Sequence, residues 1–340
     1  MKSQTTMVSA CRATKSVFIV RTPTIRTKSS MAKKSALSAA CFGGACWIRR
    51  GKASVKTYQH KGRMEKMNRI IKVLDDSHLI RFTKWVDEED GHLNPVFIAE
   101  FEHPSGRMNA FCKLYNPASK GLINEITGFL IARSYGIPQP QHAFLLFLSA
   151  AKLPRVEDIA ERYGNEWMKG KPHFQIFCTS RLDGQNAALY FRRNGLLPEM
   201  LAEEVQQWQG YAPTVALDEH IAHTDRHLNN LLRLGNRKYA IIDNGRLVSE
   251  NGENWGISEL CNNRNYPNLL WDCVGGEDCQ GRAIVSAEHH ESEFKKIEPE
   301  LFFWQNQLLP DPQENHSFRD FLQYRARETP CLLKNRFGLI

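Results

Sequence analysis

Strand-type and helix-type segments are unevenly distributed along this chain, and their order most constrains its fold. Four segments rich in Ile, Val, Phe and Leu, each bounded by turn residues, predict strands: RIIKVL, HLIRFTKWV, PVFIAEF and MNAFCKLY. The sequence HPSGR at 103–107 predicts a hairpin between the last two. Predicted helices at 197–209, 212–223 and 285–335 dominate the other half. This order predicts an α+β fold in which a strand-rich lobe and a helix-rich lobe border a cleft.

One helix is predicted among the strands. Ser119 is its predicted N-cap, the apolar residues of GLINEITGFLIARSYG recur at helical spacing, and GIPQP ends it. HAFLLFL and HFQIFCTSRL predict two further strands, and residues 151–172 are predicted to be polar and partly helical. We therefore divide the chain into a basic leader at 1–64, a strand-rich lobe at 65–150 and a helix-rich lobe at 151–340.

Positive charge is concentrated in the leader. Residues 1–64 contain 14 Lys and Arg and no Asp or Glu, which leaves 31 basic and 37 acidic residues in the remainder. The overall charge of +8 therefore comes from the leader, and general electrostatic binding of nucleic acid by the folded body is not expected. The leader is predicted to be disordered, because it offers too little periodic apolar surface to offset the entropy of ordering. Its composition suits an organelle transit peptide or an upstream extension of the reading frame.

Cysteine usage and hydropathy favour a cytoplasmic location. Nine cysteines are scattered without CxxC spacing, at positions 11, 41, 46, 112, 178, 261, 273, 279 and 331. An odd number argues against a closed disulfide framework, and reduced thiols are expected in the cytosol. No apolar run reaches the roughly 18 residues that a spanning helix requires, so no membrane association is predicted.

Four other features are interpreted as structural. His223 and His227 have the i, i+4 spacing of zinc ligands but lack the intervening Glu of HExxH, which favours loop support. His289 and His290 are predicted to be solvated. The segment WDCVGGEDCQG at 271–281 is predicted to be a loop. Core packing is expected for the irregularly spaced tryptophans of the helical half, Trp208, Trp255, Trp271 and Trp304.

Two charged residues are predicted to point inward in the strand-rich half. Alternation places Lys113 on the strand face that carries Phe111 and Tyr115. Glu125 lies on the apolar stripe of the following helix. A buried lysine and a buried glutamate satisfy each other if strand and helix pack together, although a lysine reaching solvent beside an unrelated exposed glutamate is the alternative.

A polar hairpin follows in the helix-rich half. HTDRHLNNLLRLGNRKYAIIDNG at 223–245 predicts two short strands, with Asp225 and Asn230 before the first and Asp243 at the end of the second. Asn and Asp oxygens at one end of a hairpin can bind a hard cation such as Mg²⁺. Phosphoryl transfer requires a lysine paired with a glutamate, a carboxylate that orients the acceptor, and one or two metal ions. The five side chains occur in that order: Lys113, Glu125, Asp225, Asn230 and Asp243.

These segments resemble the HipA-like kinases. FCKLY, GLINEITGFLIARSYGIPQP, DRHLNNLL and YAIIDNG are similar to the compact branch of that family, and more distantly to the phosphatidylinositol kinases. The resemblance covers about residues 95–250. It implies a two-lobed protein-kinase-like fold with a catalytic hairpin. The implied activity is transfer of phosphate from ATP, with Mg²⁺, to a Ser or Thr of a protein substrate.

The resemblance also implies roles for individual residues. Asp225 would orient the acceptor hydroxyl, and Asn230 and Asp243 would hold the metal. Lys113 would contact the ATP phosphates, and Glu125 would hold Lys113.

Within DRHLNN the resemblance implies a role for His227, whereas the choice between Asn229 and Asn230 and the role of Arg226 stay open. His227 would support the loop by hydrogen bonding. Asn229 is an alternative to Asn230, separated from it by spacing alone. Arg226 is either part of the functional set or a structural ion-pair residue.

Two departures from the family pattern support a second interpretation. Four consecutive acidic residues at 87–90 occupy the place of a phosphate-covering loop and would repel a triphosphate. Asn244 follows Asp243 where the similar kinases often have His or Phe. The second interpretation is a catalytically inactive pseudokinase that binds a nucleotide or an antitoxin-like partner. A third, a nucleic-acid binder, rests on the basic leader alone.

Overall fold

The computed structural model describes residues 69–86, 94–250 and 252–340. The predicted leader and the acidic run at 87–90 lie outside these ranges. The described residues contain a large sheet near the start of the chain and a small one further on. Their strands are β1 (Lys72–Asp75), β2 (Leu79–Trp85), β3 (Val96–His103), β4 (Gly106–Leu114), β5 (Ala143–Ser149), β6 (His173–Ser180), β7 (Gln185–Asn186), β8 (Leu231–Gly235) and β9 (Lys238–Ile241).

The large sheet has the order β1-β5-β6-β4-β3-β2. Its pairs are antiparallel except β1 with β5, which is parallel. The β3–β4 hairpin closes between His103 and Gly106, as the HPSGR signal predicted, and Gly106 has the positive φ that glycine tolerates. One face of the sheet carries a continuous apolar cluster that includes Phe97, Cys112 and Phe144.

Helices make up most of the chain after the large sheet. The first of them, however, precedes β5 and connects the two halves. The α-helices are α1 (Gly121–Ser134), α2 (Val156–Arg162), α3 (Ala187–Arg193), α4 (Pro198–Gln206), α5 (Tyr211–Ile221), α6 (Leu269–Val274), α7 (Glu277–Ala287), α8 (His290–Leu308) and α9 (Pro312–Arg336). Helix α1 packs against β6 on one side and against α5 and α8 on the other.

The small sheet has the order β7-β8-β9, and Leu231, Tyr239 and Ile241 of its β8–β9 hairpin belong to the apolar cluster formed mainly by the helices. The amide of Ile241 in β9 donates to the carbonyl of Pro138, 2.8 Å away, in the segment that ends α1. This bond brings the end of the hairpin beside α1. The strand-rich start, the helical remainder and the polar hairpin therefore agree with the predicted α+β architecture of two parts.

Segment boundaries differ from the predictions in places. Helices α4 and α5 match the predicted 197–209 and 212–223, and α8 with α9 fills most of 285–335. The strand-rich part, however, extends past residue 150, because β6 lies between β4 and β5 in the same sheet. The contribution of β6 to the sheet depends on contacts distant in sequence, which the local pattern does not encode.

Three local predictions are wrong. The segment 271–281 is not a loop: it contains the end of α6 and the start of α7, joined at Gly275 and Gly276, both of which have positive φ. His290 is buried rather than solvated and stacks on Tyr135 with ring centroids 3.8 Å apart. Ser119 is not the N-cap of α1, since Lys120 occupies that position, and the Lys120 side chain makes no capping hydrogen bond.

The tryptophan prediction is confirmed for Trp208, Trp255 and Trp304, which are buried, whereas Trp271 is partly exposed. Among the described residues, no helix combines the length and the apolar character needed to cross a bilayer.

Candidate functional site

Lys113 connects the two lobes through its ammonium group. Its Nζ lies 2.7 Å from Oδ1 of Asp243 and 3.5 Å from Oε1 of Glu125. Burial disfavours the charged ammonium, but the two carboxylates outweigh burial and raise the pKa of Lys113. The lysine is therefore charged at neutral pH, and it is only 16% exposed. A partly buried, charged amine between two carboxylates can transfer its hydrogen bonds to an incoming anion.

Glu125 is buried in α1 and is held by three donors. Its Oε1 accepts from the Tyr115 hydroxyl at 2.7 Å as well as from Lys113, and its Oε2 accepts from the Asn244 amide at 2.9 Å. Burial raises the pKa of Glu125, and the ammonium of Lys113 opposes that rise. The helix and the segment after the hairpin thus meet at this carboxylate.

Asp243 follows β9 in a left-handed conformation with φ of 62°. Few non-glycine residues adopt this conformation, although Asp tolerates it when its side chain bonds locally. Here its Oδ1 accepts from the Gly245 amide at 3.2 Å. Burial would raise the pKa of Asp243, but adjacent Lys113 lowers it well below the usual range. The carboxylate is therefore ionised, and its Oδ2 accepts no hydrogen bond from another described residue.

The Asp225–Asn230 loop lies beside Asp243. The side-chain amide of Asn230 donates to the backbone carbonyl of Asp225 at 2.6 Å, and the Asn230 carbonyl accepts from the Ile242 amide at 3.1 Å. Asn230 is buried, whereas Asn229 is exposed. The structure therefore places Asn230, and not Asn229, toward the end of the hairpin. The Asp225 carboxylate remains 24% exposed, with its Oδ1 3.3 Å from the guanidinium of Arg246.

Loop support comes from His223 rather than from His227. The Nδ1 atom of His223 accepts from the Asp225 amide at 3.2 Å, so its Nε2 carries the proton and donates to the Asp243 carbonyl at 3.0 Å. Burial lowers the pKa of His223 well below its ordinary value, which keeps the ring neutral. The Nε2 of His227 is 4.0 Å from Asp225, and its Nδ1 has no partner among the described residues. The prediction that the His227 side chain supports the loop by hydrogen bonding is therefore wrong, and the side chain of His223 supports the loop instead.

Arg226 has the structural role that was one of its two alternatives. It is fully buried, and its guanidinium donates to the carbonyls of Ile242 and Asp243 and to the side chain of Asn244. Its Nε lies 3.4 Å from Asp218. Burial nevertheless raises the pKa of Asp218 to about 7, despite that guanidinium. Arg226 therefore fixes the backbone that bends into the left-handed Asp243.

Three residues at the site were missed by sequence reasoning. Asn124 donates from its side chain to the carbonyls of Gly245 and Glu253. Glu253 accepts from the Asn94 side chain, and burial raises its pKa although Lys113 is close enough to oppose the rise. Arg246 pairs with Asp225. The glycine at position 128, one turn after Asn124, signals close packing at that helix face, but no local pattern indicates Glu253 or Arg246.

Two side-chain oxygens at the site are of the kind that binds a magnesium ion together with a nucleotide. Within the described ranges, no three His, Cys, Asp or Glu side chains are grouped so that they could hold a metal by themselves. Mg²⁺, however, is usually bound through one or two protein oxygens, with phosphates and water completing its octahedron. The unengaged Oδ2 of Asp243 and the side-chain oxygen of Asn230, which accepts no hydrogen bond from another described residue, suit that mode.

The five residues of the predicted set are thus brought to one region. Lys113, Glu125 and Asp243 are in direct contact, and Asp225 and Asn230 are joined to Asp243 through His223 and Ile242. Comparison with known proteins adds no assignment: no protein-family model matches the chain, and no curated protein matches it.

Proposed function

We propose that this chain is a phosphotransferase that uses ATP and Mg²⁺ and phosphorylates a Ser or Thr of a protein substrate. The observation that carries the proposal is the position of the Lys113 ammonium, between Glu125 of α1 and Asp243 after the hairpin. A lysine–glutamate pair together with a metal-binding Asp is the set that kinases require. The acceptor class rests on the resemblance to HipA-like kinases.

Each side chain has a chemical task in this proposal. Lys113 neutralises the phosphates of ATP, and Glu125 keeps its ammonium in place. Asp225 accepts the proton of the acceptor hydroxyl. The oxygen of that hydroxyl bonds to the γ-phosphorus of ATP, and the bond between the γ-phosphorus and the bridging oxygen breaks, which releases ADP. Asn230 and Asp243 would hold Mg²⁺, which neutralises charge on the phosphates when bound.

A catalytically inactive nucleotide-binding protein is the second candidate. It is favoured by the 3.3 Å ion pair between Arg246 and the Asp225 carboxylate, which engages one of the two oxygens that could accept the proton. An antitoxin-like partner would bind to such a protein rather than serve as its substrate.

Incubation with labelled ATP, MgCl₂ and a protein acceptor separates the two candidates. The wild type is expected to form ADP and labelled protein, whereas Asp225→Asn is expected to lose transfer yet keep its ATP-induced rise in melting temperature. The same thermal shift with no transfer by the wild type would favour the inactive protein. Full transfer by Asp225→Asn would refute the role of Asp225.

A further inference from the structure

Helix α1 has no solvent-facing side over most of its length. Every residue from Gly121 to Ala132 is buried, including the polar Asn124, Glu125 and Thr127. A helix at the edge of a lobe ordinarily keeps a polar, exposed face. Here β6, α5 and α8 contact the helix, and the segment that follows Asp243 lies against its first turns. Displacement of α1 would therefore disrupt packing on several sides.

Asn124 uses its whole side chain to bind the segment after Asp243. Its Nδ2 donates to the carbonyl of Gly245 at 2.8 Å and to that of Glu253 at 2.9 Å, and its Oδ1 accepts from the Trp255 indole at 3.0 Å. The next residue, Glu125, accepts from the Asn244 amide. Two consecutive residues of α1 thus bind both ends of one loop.

One turn further on, the backbone of α1 approaches the same loop closely. A Cβ at Gly128 would lie 2.4 Å from Cβ and 2.5 Å from Cγ of Asn244. That side chain cannot easily move aside, because its Oδ1 accepts a 2.6 Å hydrogen bond from buried Arg226. Glycine at position 128 is therefore required by the contact.

The start of α1 is attached to the helical lobe as well. Lys120 lies 4.0 Å from the centre of the Trp255 indole ring, donates to the Trp255 carbonyl, and pairs with Glu314 of α9 at 2.8 Å. The helix that carries Glu125 is thus bound at both its first turn and its middle.

We propose that Asn124 is a positioning residue that locks α1 against the segment after Asp243 and thereby keeps Glu125, Lys113 and Asp243 assembled. The effect of this lock on catalysis rests on the proposed function, whereas the lock itself does not. Kinases commonly regulate activity by moving the helix that carries this glutamate, often through phosphorylation. Because the contacts of Asn124 and Gly128 hold α1 in the assembled position, we expect this chain to require no such modification.

Hydrogen exchange of the full chain, resolved to single amides, tests the lock without any need for catalysis. The Asn244 amide is expected to be protected in nucleotide-free protein, and Gly128→Ala is expected to lower that protection about a hundredfold, through local opening. The matched control is Gly281→Ala in α7, where a Cβ meets nothing within 4 Å, and it should leave Asn244 unchanged. Rapid exchange of this amide in nucleotide-free wild type would refute the lock.

Catalysis tests the positioning role and the regulatory consequence. Asn124→Ala is expected to lower kcat at least about tenfold with little change in the KM for ATP, because alignment rather than binding is lost. Asn124→Ser, which keeps one donor, should recover part of the rate. An unchanged kcat in Asn124→Ala would refute the role.

Treatment of the purified wild type with a protein phosphatase should leave its transfer rate unchanged, and a loss of rate would refute the regulatory inference. If the wild type transfers no phosphate at all, the proposed function fails, while protection of the Asn244 amide still decides whether α1 is locked.

Discussion

Two clusters of buried charged side chains differ in the sign of their net charge. At the candidate site, Lys113 faces the carboxylates of Glu125 and Asp243, with Glu253 nearby. In the helical lobe, Glu219 faces two guanidinium groups, those of Arg325 at 3.2 Å and Arg336 at 2.6 Å. The first cluster therefore has excess negative charge and the second has excess positive charge.

The excess charge is compensated by backbone carbonyls in the second cluster, whereas in the first it is compensated only in part. The Arg325 guanidinium donates to the backbone carbonyls of Glu219, His220, Asn262 and Arg264, and it is fully buried. Asp243, by contrast, is 33% exposed and has one oxygen that accepts no hydrogen bond from the described residues. Burial of charge by itself thus does not identify a functional site. An accessible carboxylate with an unused oxygen can also accept a cation from outside, and this property is the reason that we propose the first cluster as the site.

The largest expected effect is on catalysis at the first cluster. Asp243→Asn removes the anionic metal ligand, and transfer is expected to fall about 10⁴-fold, ~5 kcal/mol of transition-state stabilisation. The free energy of unfolding should change by about 1 kcal/mol or less, since Lys113 keeps Glu125 as partner. Steady-state kinetics and urea unfolding measure the two quantities. A variant that transfers phosphate normally would show that the two clusters do not differ in function.

The same kind of change in the second cluster should act on stability. Glu219→Gln leaves Arg325 and Arg336 without an anion, which is expected to lower the free energy of unfolding by about 3–5 kcal/mol. Because Glu219 lies outside the site, kcat well below the melting temperature should match the wild type. A large loss of kcat in protein shown to be folded by circular dichroism would break the comparison.

Acid should destabilise the helical lobe through its neutral histidines. Burial lowers the pKa of His220 to about 3, and the pKa values of His223 and His290 are also lowered well below the ordinary value. At these three rings the unfolded chain therefore binds more protons below pH 6.5, so the stability that they contribute is complete above that pH and is lost as the pH falls. His220 should contribute about 1.4 kcal/mol of loss by pH 5.5, and His223 and His290 should add to that loss.

Urea unfolding between pH 7.5 and 5.5 measures this dependence. Protonation of Asp218, whose pKa is raised to about 7, opposes this loss over the same range. A stability that rises as the pH falls would show that these rings are not kept neutral by burial.

The smallest expected effect concerns nucleotide affinity. Glu253→Gln removes one negative charge near Lys113, and ATP should bind roughly three- to tenfold more tightly, about 1 kcal/mol. Calorimetric titration with ATP and Mg²⁺ checks this. The control is Glu250→Gln, an exposed residue paired with Arg264 at 2.6 Å, which should not alter the affinity. Weaker binding by Glu253→Gln would indicate that Glu253 assists the nucleotide.

The parts of the fold and site that could be predicted are those with local signals. The HPSGR turn, the periodicity of α1 and the polar ends of the β8–β9 hairpin are each encoded within about 20 residues, so their types were evident. The buried position of Glu125 was also expected from helical spacing. The alternation argument for Lys113 is wrong, because the buried face of β4 carries Cys112 and Leu114, and Phe111, which shares a face with Lys113, is 36% exposed.

The remaining features depend on contacts between distant residues. The parallel pairing of β1 with β5 and the insertion of β6 beside β4 follow from tertiary packing, which overrides local preference. His223 rather than His227 supports the loop because backbone bending at Asp243 brings a carbonyl within 3.0 Å of its ring. Neither spacing nor composition indicates which of two neighbouring histidines faces that bend.

A crystal structure with a non-hydrolysable ATP analogue and Mg²⁺ tests the central claim most directly. We expect Mg²⁺ about 2.0–2.1 Å from oxygens of Asp243 and Asn230, and the Lys113 ammonium on a phosphate oxygen while it still contacts Glu125. A nucleotide bound away from Lys113, or a metal held by phosphates and water without Asp243, would contradict the account.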